Sequence, residues 1–234
     1  MDRTAIITGA TSGIGKAVAE AFYQNKIRCV LTGRNESALR EIAERTESVY
    51  LTSDVNSPNL PQQLIDLSIK NYGRCDILIN NAGTIETGVI ESIDVEQVTA
   101  MVRTNVEAAF RFIYTFLKHC KMQGSGHLIN LSSVLGTKVR ETAGAYAGTK
   151  FAVEALSEAL RMELSKTDIQ ITCIEPGLVK TELHRRWEKH PSDLMDIPDP
   201  LQPEDVANTI LYVLSQPARV RIPRIMVLPK DHVI

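Results

Sequence analysis

Neither sign of charge dominates this chain. Lys and Arg total 26 against 28 Asp and Glu, a formal net charge of −2, and the pI is about 6.2. That balance lacks the basic footprint of a nucleic-acid or membrane-surface binder. No apolar run approaches the roughly 20 residues of a membrane span. The opening, MDRTAIITGA, has no basic-then-apolar leader. Cys29, Cys75, Cys120 and Cys173 lie far apart and form no C-x-x-C pair. They therefore suggest neither a disulfide framework nor a zinc site, but buried thiols in a reducing compartment. A cytoplasmic protein is expected. His119, His127, His184, His190 and His232 are scattered, so no metal-ligand cluster is expected. There is no repeat, linker or low-complexity tract, and 234 residues fit one domain, 1–234, with a substantial core.

What is present is an alternation of strand and helix patterns. Apolar, β-branched runs occur at 4–8, 27–33, 48–55, 76–83, 126–133, 169–177 and 224–228. Between them, helical periodicity covers 14–26, 36–46, about 59–72, about 94–121, 144–166 and 203–215. The strands are apolar on both faces, as in a parallel sheet covered by helices on both sides. Repeated βα units with short connections predict an α/β fold, a doubly wound (Rossmann) parallel sheet of about seven strands. The stretch 178–202 is less regular, and prolines crowd its end at Pro191, Pro198 and Pro200. An irregular segment of that length suggests a lid over a site near 182–202.

TGATSGIG (8–15) joins the first strand to the first helix. Gly9, Gly13 and Gly15 let the backbone turn tightly and approach a bound group. Thr11, Ser12 and Ile14 complete the turn, and the helix start offers free N–H groups and a positive dipole end to a phosphate. The spacing is not G-x-G-x-x-G, but the strand–turn–helix setting suits the same task. A sharp turn without a ligand would use the same glycines.

Tyr146 and Lys150 are four residues apart in a helical segment, so they share a face. A free phenol titrates near roughly 10, and a nearby cation favours the phenolate. The pair reads as a tuned acid/base or as an ordinary surface contact.

Together, T-G-x-x-x-G-I-G (8–15), N-N-A-G (80–83) and Y-x-x-x-K (146–150) resemble the short-chain dehydrogenase/reductase family over essentially the whole chain. That resemblance implies Tyr146 as general acid/base. It implies that Lys150 holds the nicotinamide ribose and lowers the phenol's pKa. It places a serine thirteen residues before the tyrosine, Ser133, on the substrate oxygen. Ser132 is adjacent, but neighbouring strand residues point to opposite sides. Asn105, a poor interior helix residue, is expected to distort its helix and support a proton-relay water.

The cofactor follows from the second strand, which ends LTGRN. An NAD-preferring fold usually has an acid there. Gly33 and Arg34 stand instead, and a guanidinium suits a 2′-phosphate, so NADP(H) is expected. By the same resemblance Asp54 and Val55 contact adenine, while Asn81, Ala82 and Gly83 line the adenosine side and brace the sheet. PGLVKT (176–181) supplies Pro176, Gly177, Val179 and Thr181 around the nicotinamide carboxamide. The implied reaction is hydride transfer between the cofactor and a carbonyl or secondary alcohol of a small molecule. His184, Arg185 and Arg186 could receive an anionic substrate group or form a solvated helix face. The pattern is most similar to the NADP-dependent branch acting on 3-hydroxy acids and serine. Excess apolar positions on the helices around 108–117 and 151–160 suggest a homodimer or homotetramer. The rival reading is a catalytically silent nucleotide sensor or scaffold on the same fold.

Overall fold

Each of the apolar runs forms a strand. In the computed structural model, which describes residues 3–185, 187 and 191–233, β1 is Thr4–Thr8, β2 Arg28–Gly33, β3 Val49–Thr52 and β4 Ile77–Asn80. Then come β5 Ser125–Leu131, β6 Asp168–Pro176 and β7 Arg224–Val227. All adjacent strands pair in parallel, in the order β3-β2-β1-β4-β5-β6-β7. The order reverses direction between β1 and β4, and a crevice at that switch point is where such sheets bind ligands.

The helices are α1 Gly13–Gln24, α2 Glu36–Arg45, α3 Leu60–Tyr72, α4 Val95–Val102, α5 Ala109–Gln123, α6 Gly144–Glu163, α7 Pro191–Leu194 and α8 Pro203–Ser215. Successive strand residues alternate between two cores. Ala5 and Ile7 of β1 join Phe22 of α1, Leu39 of α2 and Ile210 of α8. Ile6, between them, joins Leu64 of α3, Phe116 of α5 and Leu160 of α6 on the other face. This period of two explains why the strands read as apolar throughout. Cys29 lies in the first core, Cys75 and Cys120 in the second, and all four cysteines are free and buried.

The sequence periodicity predicts one helix over about 94–121. The structure divides it: α4 passes into a π-helical stretch, Arg103–Ala108, before α5. The expected strands at 48–55 and 76–83 stop earlier, at Thr52 and Asn80. Beyond those points the backbone leaves the sheet to line the crevice. In the irregular stretch, Val179 forms an isolated bridge with Leu201. Lys180 N–H donates to the Leu201 carbonyl at 2.8 Å, and Leu201 N–H to the Leu178 carbonyl at 3.0 Å.

Candidate active site

The strand ends open onto a cleft of about 2270 Å3. At its floor the chain leaves β1 through Gly9, with φ of 66°, and enters α1 through Gly13, with φ of 50°. Both angles lie where glycine alone is unstrained. Gly15 serves contact instead: a Cβ there would collide with the Gly9 carbonyl and come within 2.7 Å of Asn81 Nδ2. Asn81 fastens the turn, donating from Nδ2 to the Thr8 carbonyl at 2.8 Å. The backbone N–H groups of Asn81 and Ala82 both donate to Thr8 Oγ1 at 3.0 Å.

Ser12 precedes α1 but makes no side-chain cap. By contrast, Asn35 caps α2 and Asp94 caps α4 with their side chains. The first N–H groups of α1 therefore lack a side-chain partner at the cleft, an arrangement that suits an anion. Thr11 packs on Gly33, where a Cβ would come within 2.7 Å of its methyl. Arg34 follows, exposed and with no ion pair among the described residues. It lines the same cleft, as do Asp54, Val55 and Gly83. Asp54 accepts hydrogen bonds from Asn56 N–H at 2.8 Å and Asn56 Nδ2 at 2.9 Å.

Tyr146 sits in the first turn of α6, buried, with the Ser133 side chain beside it. Burial pushes the phenol up to about 12, and the neighbouring Ser133 side chain only partly offsets that rise. Lys150 is buried one turn on, and its Nζ donates to the Leu131 carbonyl at 2.7 Å. Burial brings its pKa down to about 8, opposed by the Glu154 carboxylate and, less, by Cys173. The expected lowering of the phenol by the lysine is not what this geometry does. The ammonium lies beside the ring, 5.7 Å from its centre, and commits a proton to Leu131. Desolvation prevails, and the phenol lies above its ordinary value.

The two serines diverge as strand alternation requires. Ser133 stands on the side of Tyr146, and its Oγ accepts Leu135 N–H at 3.1 Å. Ser132 is buried against Gly136 on the side of Glu154, and its hydroxyl makes no hydrogen bond. Asn105 lies in the π-helical stretch, buried. Its Oδ1 accepts Thr84 N–H at 2.9 Å, while Nδ2 donates to the Thr84 carbonyl at 2.8 Å and Thr149 Oγ1 at 3.2 Å. Thr149 in turn donates to the Tyr146 carbonyl at 2.7 Å. Asn105 thus ties the β4 exit to the first turn of α6 from behind.

The segment after β6 closes the cleft. Gly177 N–H donates to the Val227 carbonyl at 2.8 Å, and Leu178 N–H to His232 Nδ1 at 3.4 Å. Thr181 crosses over the glycine turn, its methyl 3.0 Å from where a Cβ on Gly13 would be. Pro176, Val179, His184 and Arg185 also line the cleft, and His184 packs edge-on against Trp187 with ring centres 5.0 Å apart. Arg186 and His190 lie outside the described residues. Of the residues expected at the site, Gly15 and Asn105 alone stand behind the wall of the cleft. Three partners that the sequence expectations lack are Thr84, Thr149 and Glu154. Glu154 carries a readable signal, because it follows Lys150 by one helical turn.

The profile of the short chain dehydrogenase family matches residues 3–192. The chain belongs to that family. This short-chain dehydrogenase is 34% identical over 234 residues to an uncharacterized oxidoreductase of Staphylococcus saprophyticus, covering 97% of each chain. Among solved structures it resembles the closed form of a serine dehydrogenase complexed with NADP+, at 27% identity and a TM-score of 0.92, covering 99% of this chain and 96% of that one. It also resembles an actinorhodin polyketide ketoreductase variant with NADPH, at 28% identity and a TM-score of 0.87, covering 97% and 96%. The seven-stranded sheet is the fold of these dehydrogenases. Among the described residues no three His, Cys, Asp or Glu side chains group to hold a metal. No helix among them is long and apolar enough to cross a membrane.

Proposed function

We propose that this short-chain dehydrogenase is an NADP(H)-dependent oxidoreductase that interconverts a carbonyl and a secondary alcohol of a small molecule, with Tyr146 as general acid/base. The observation that carries the reading is a buried tyrosine hydroxyl at the cleft, with Ser133 beside it and Lys150 flanking its ring. The glycine cradle and uncapped start of α1 fit a pyrophosphate. Arg34 fits a 2′-phosphate, and two similar structures were solved with NADP+ and NADPH. Asp54, Val55 and Gly83 would flank the adenosine half; Pro176, Gly177, Val179 and Thr181 would flank the nicotinamide.

When bound, the nicotinamide supplies or takes up the hydride. Tyr146 donates its proton to the carbonyl oxygen as negative charge grows there. Ser133 stabilises the same oxygen by a hydrogen bond that strengthens with that charge. Lys150 holds the ribose side and adds positive charge near the phenol. Asn105 keeps the catalytic turn in register through Thr149 and supports the return of a proton. In the reverse direction the phenolate takes the alcohol proton, which a phenol held near 12 does less readily at neutral pH. Exposed apolar side chains on α4 and α5, among them Val102 and Tyr114, support a homodimer or homotetramer. Four free, buried thiols fit a reducing, cytoplasmic setting.

The test is a panel of small carbonyls followed by NADPH absorbance. Tyr146→Phe is expected to lower kcat by about 100-fold or more while NADPH still quenches or shifts in fluorescence on binding. Equal turnover by the variant would remove Tyr146 from the mechanism. NADPH binding with no turnover on any carbonyl would favour the silent-sensor reading.

A further inference from the structure

Beneath the catalytic pair lies a second cluster of charge. Glu154 follows Lys150 by four residues on the same face of α6, and the two are only 3% and 8% exposed. Glu175, on β6, is fully buried. Arg224 from β7 spans the carboxylates, its Nε 2.8 Å from Glu175 Oε1 and its Nη2 3.3 Å from Glu154 Oε2. Thr137 donates to Glu175 Oε2 at 3.3 Å. Glu154 Oε1 makes no hydrogen bond, and neither does the buried Ser132 hydroxyl beside it. One guanidinium thus meets two carboxyls, and the cluster is short of positive charge or of a proton. Lys150 shows the opposite deficit. It is a buried ammonium whose hydrogen bond goes to an uncharged carbonyl, and a buried charge needs a partner.

We propose that Glu154 is the counter-ion of Lys150, a positioning residue that keeps the ammonium charged and aimed at the active site, with Arg224 and Glu175 holding Glu154 in place. Every other group facing the lysine is a poorer candidate. From α6 it meets the Tyr146 ring; from β5, the Leu131 carbonyl. From β6 it meets the Cys173 thiol, which burial pushes up to about 12 and so keeps neutral. Glu175 and Arg224 act on the lysine through Glu154. Burial first, and Glu154 second, raise the Glu175 carboxyl. A carboxylate one helical turn from the ammonium offsets part of the burial that draws Lys150 to about 8.

The inference rests on the functional reading only for what Lys150 does at the cofactor, and its test can be read without turnover. NADPH binding is followed by fluorescence from pH 6 to 10 in the parent and in Glu154→Gln. The parent should lose affinity as Lys150 sheds its proton. In Glu154→Gln that loss should move to lower pH, by about one unit, with affinity near the parent's at pH 6. Glu154→Asp should restore most of the shift, and Glu175→Gln should leave the limb where it was. Equal weakening of Glu154→Gln at every pH, or the same downward shift in Glu175→Gln, would overturn the assignment. A stability cycle gives the second reading. Lys150→Met and Glu154→Gln each strand a buried charge, so the double variant should be less destabilised than the sum of the two. Additive losses, or a double variant that fails to fold when either single variant folds, would overturn it as well. Shifted binding without turnover would sink the functional reading alone.

Discussion

The role proposed for Arg34 rests on charge alone. It stands exposed at the end of β2 with no ion pair among the described residues, so no internal partner is lost when it is removed. Arg34→Ala should therefore leave folding unchanged, weaken NADPH by about 10- to 100-fold and leave NADH nearly untouched. Parallel titrations with both cofactors check this, and equal loss for the two would remove the 2′-phosphate role. Residues of this kind are the most legible in a sequence. Arg34, Ser133 and Tyr146 announce themselves by residue type at a fixed distance from a strand end or a glycine turn. Lys150 was legible in place but not in effect. Its influence on the phenol depends on where the ammonium points and on how much water remains, and spacing carries neither quantity. Glu175 and Arg224 escape notice for a related reason: they meet across β6 and β7, far apart in the chain.

Elements were legible wherever one period explained them. The strands are short apolar runs bounded by turns, and their cores alternate residue by residue. The helix expected over 94–121 misled because a π-helical stretch keeps nearly the same apolar face as the α-helix on either side. Asn105 lies in the break, and its carboxamide bonds to the Thr84 backbone outside the helix. Asn105→Ala should strand the Thr84 N–H and carbonyl in a buried place and cost about 1–3 kcal/mol. Chemical denaturation measures that cost. The accompanying loss of kcat should exceed any change in cofactor affinity, since Asn105 stands behind the cleft and touches α6 through Thr149. An Ala variant of parental stability would show that the π-helical stretch is held by other contacts.

At the scale of the whole molecule, the sheet buries both its faces but α4 and α5 keep apolar side chains in water. Val102 is 42% exposed and Tyr114 46%. Sedimentation should find a species of two or four chains, each of 25.9 kDa, and Val102→Glu should shift it toward the single chain. A parent that sediments as one chain at micromolar concentration would remove the assembly. The two cores on opposite faces of one sheet have a further use. Cys29 is enclosed in one core and Cys120 in the other, and burial raises both thiols far above the range in which they react. An alkylating reagent can mark either cysteine only while its own layer is open. A brief pulse of such a reagent during denaturation, followed by peptide mass analysis, therefore works as a two-channel clock that times the peeling of each helical layer from the sheet with no probe added to the protein.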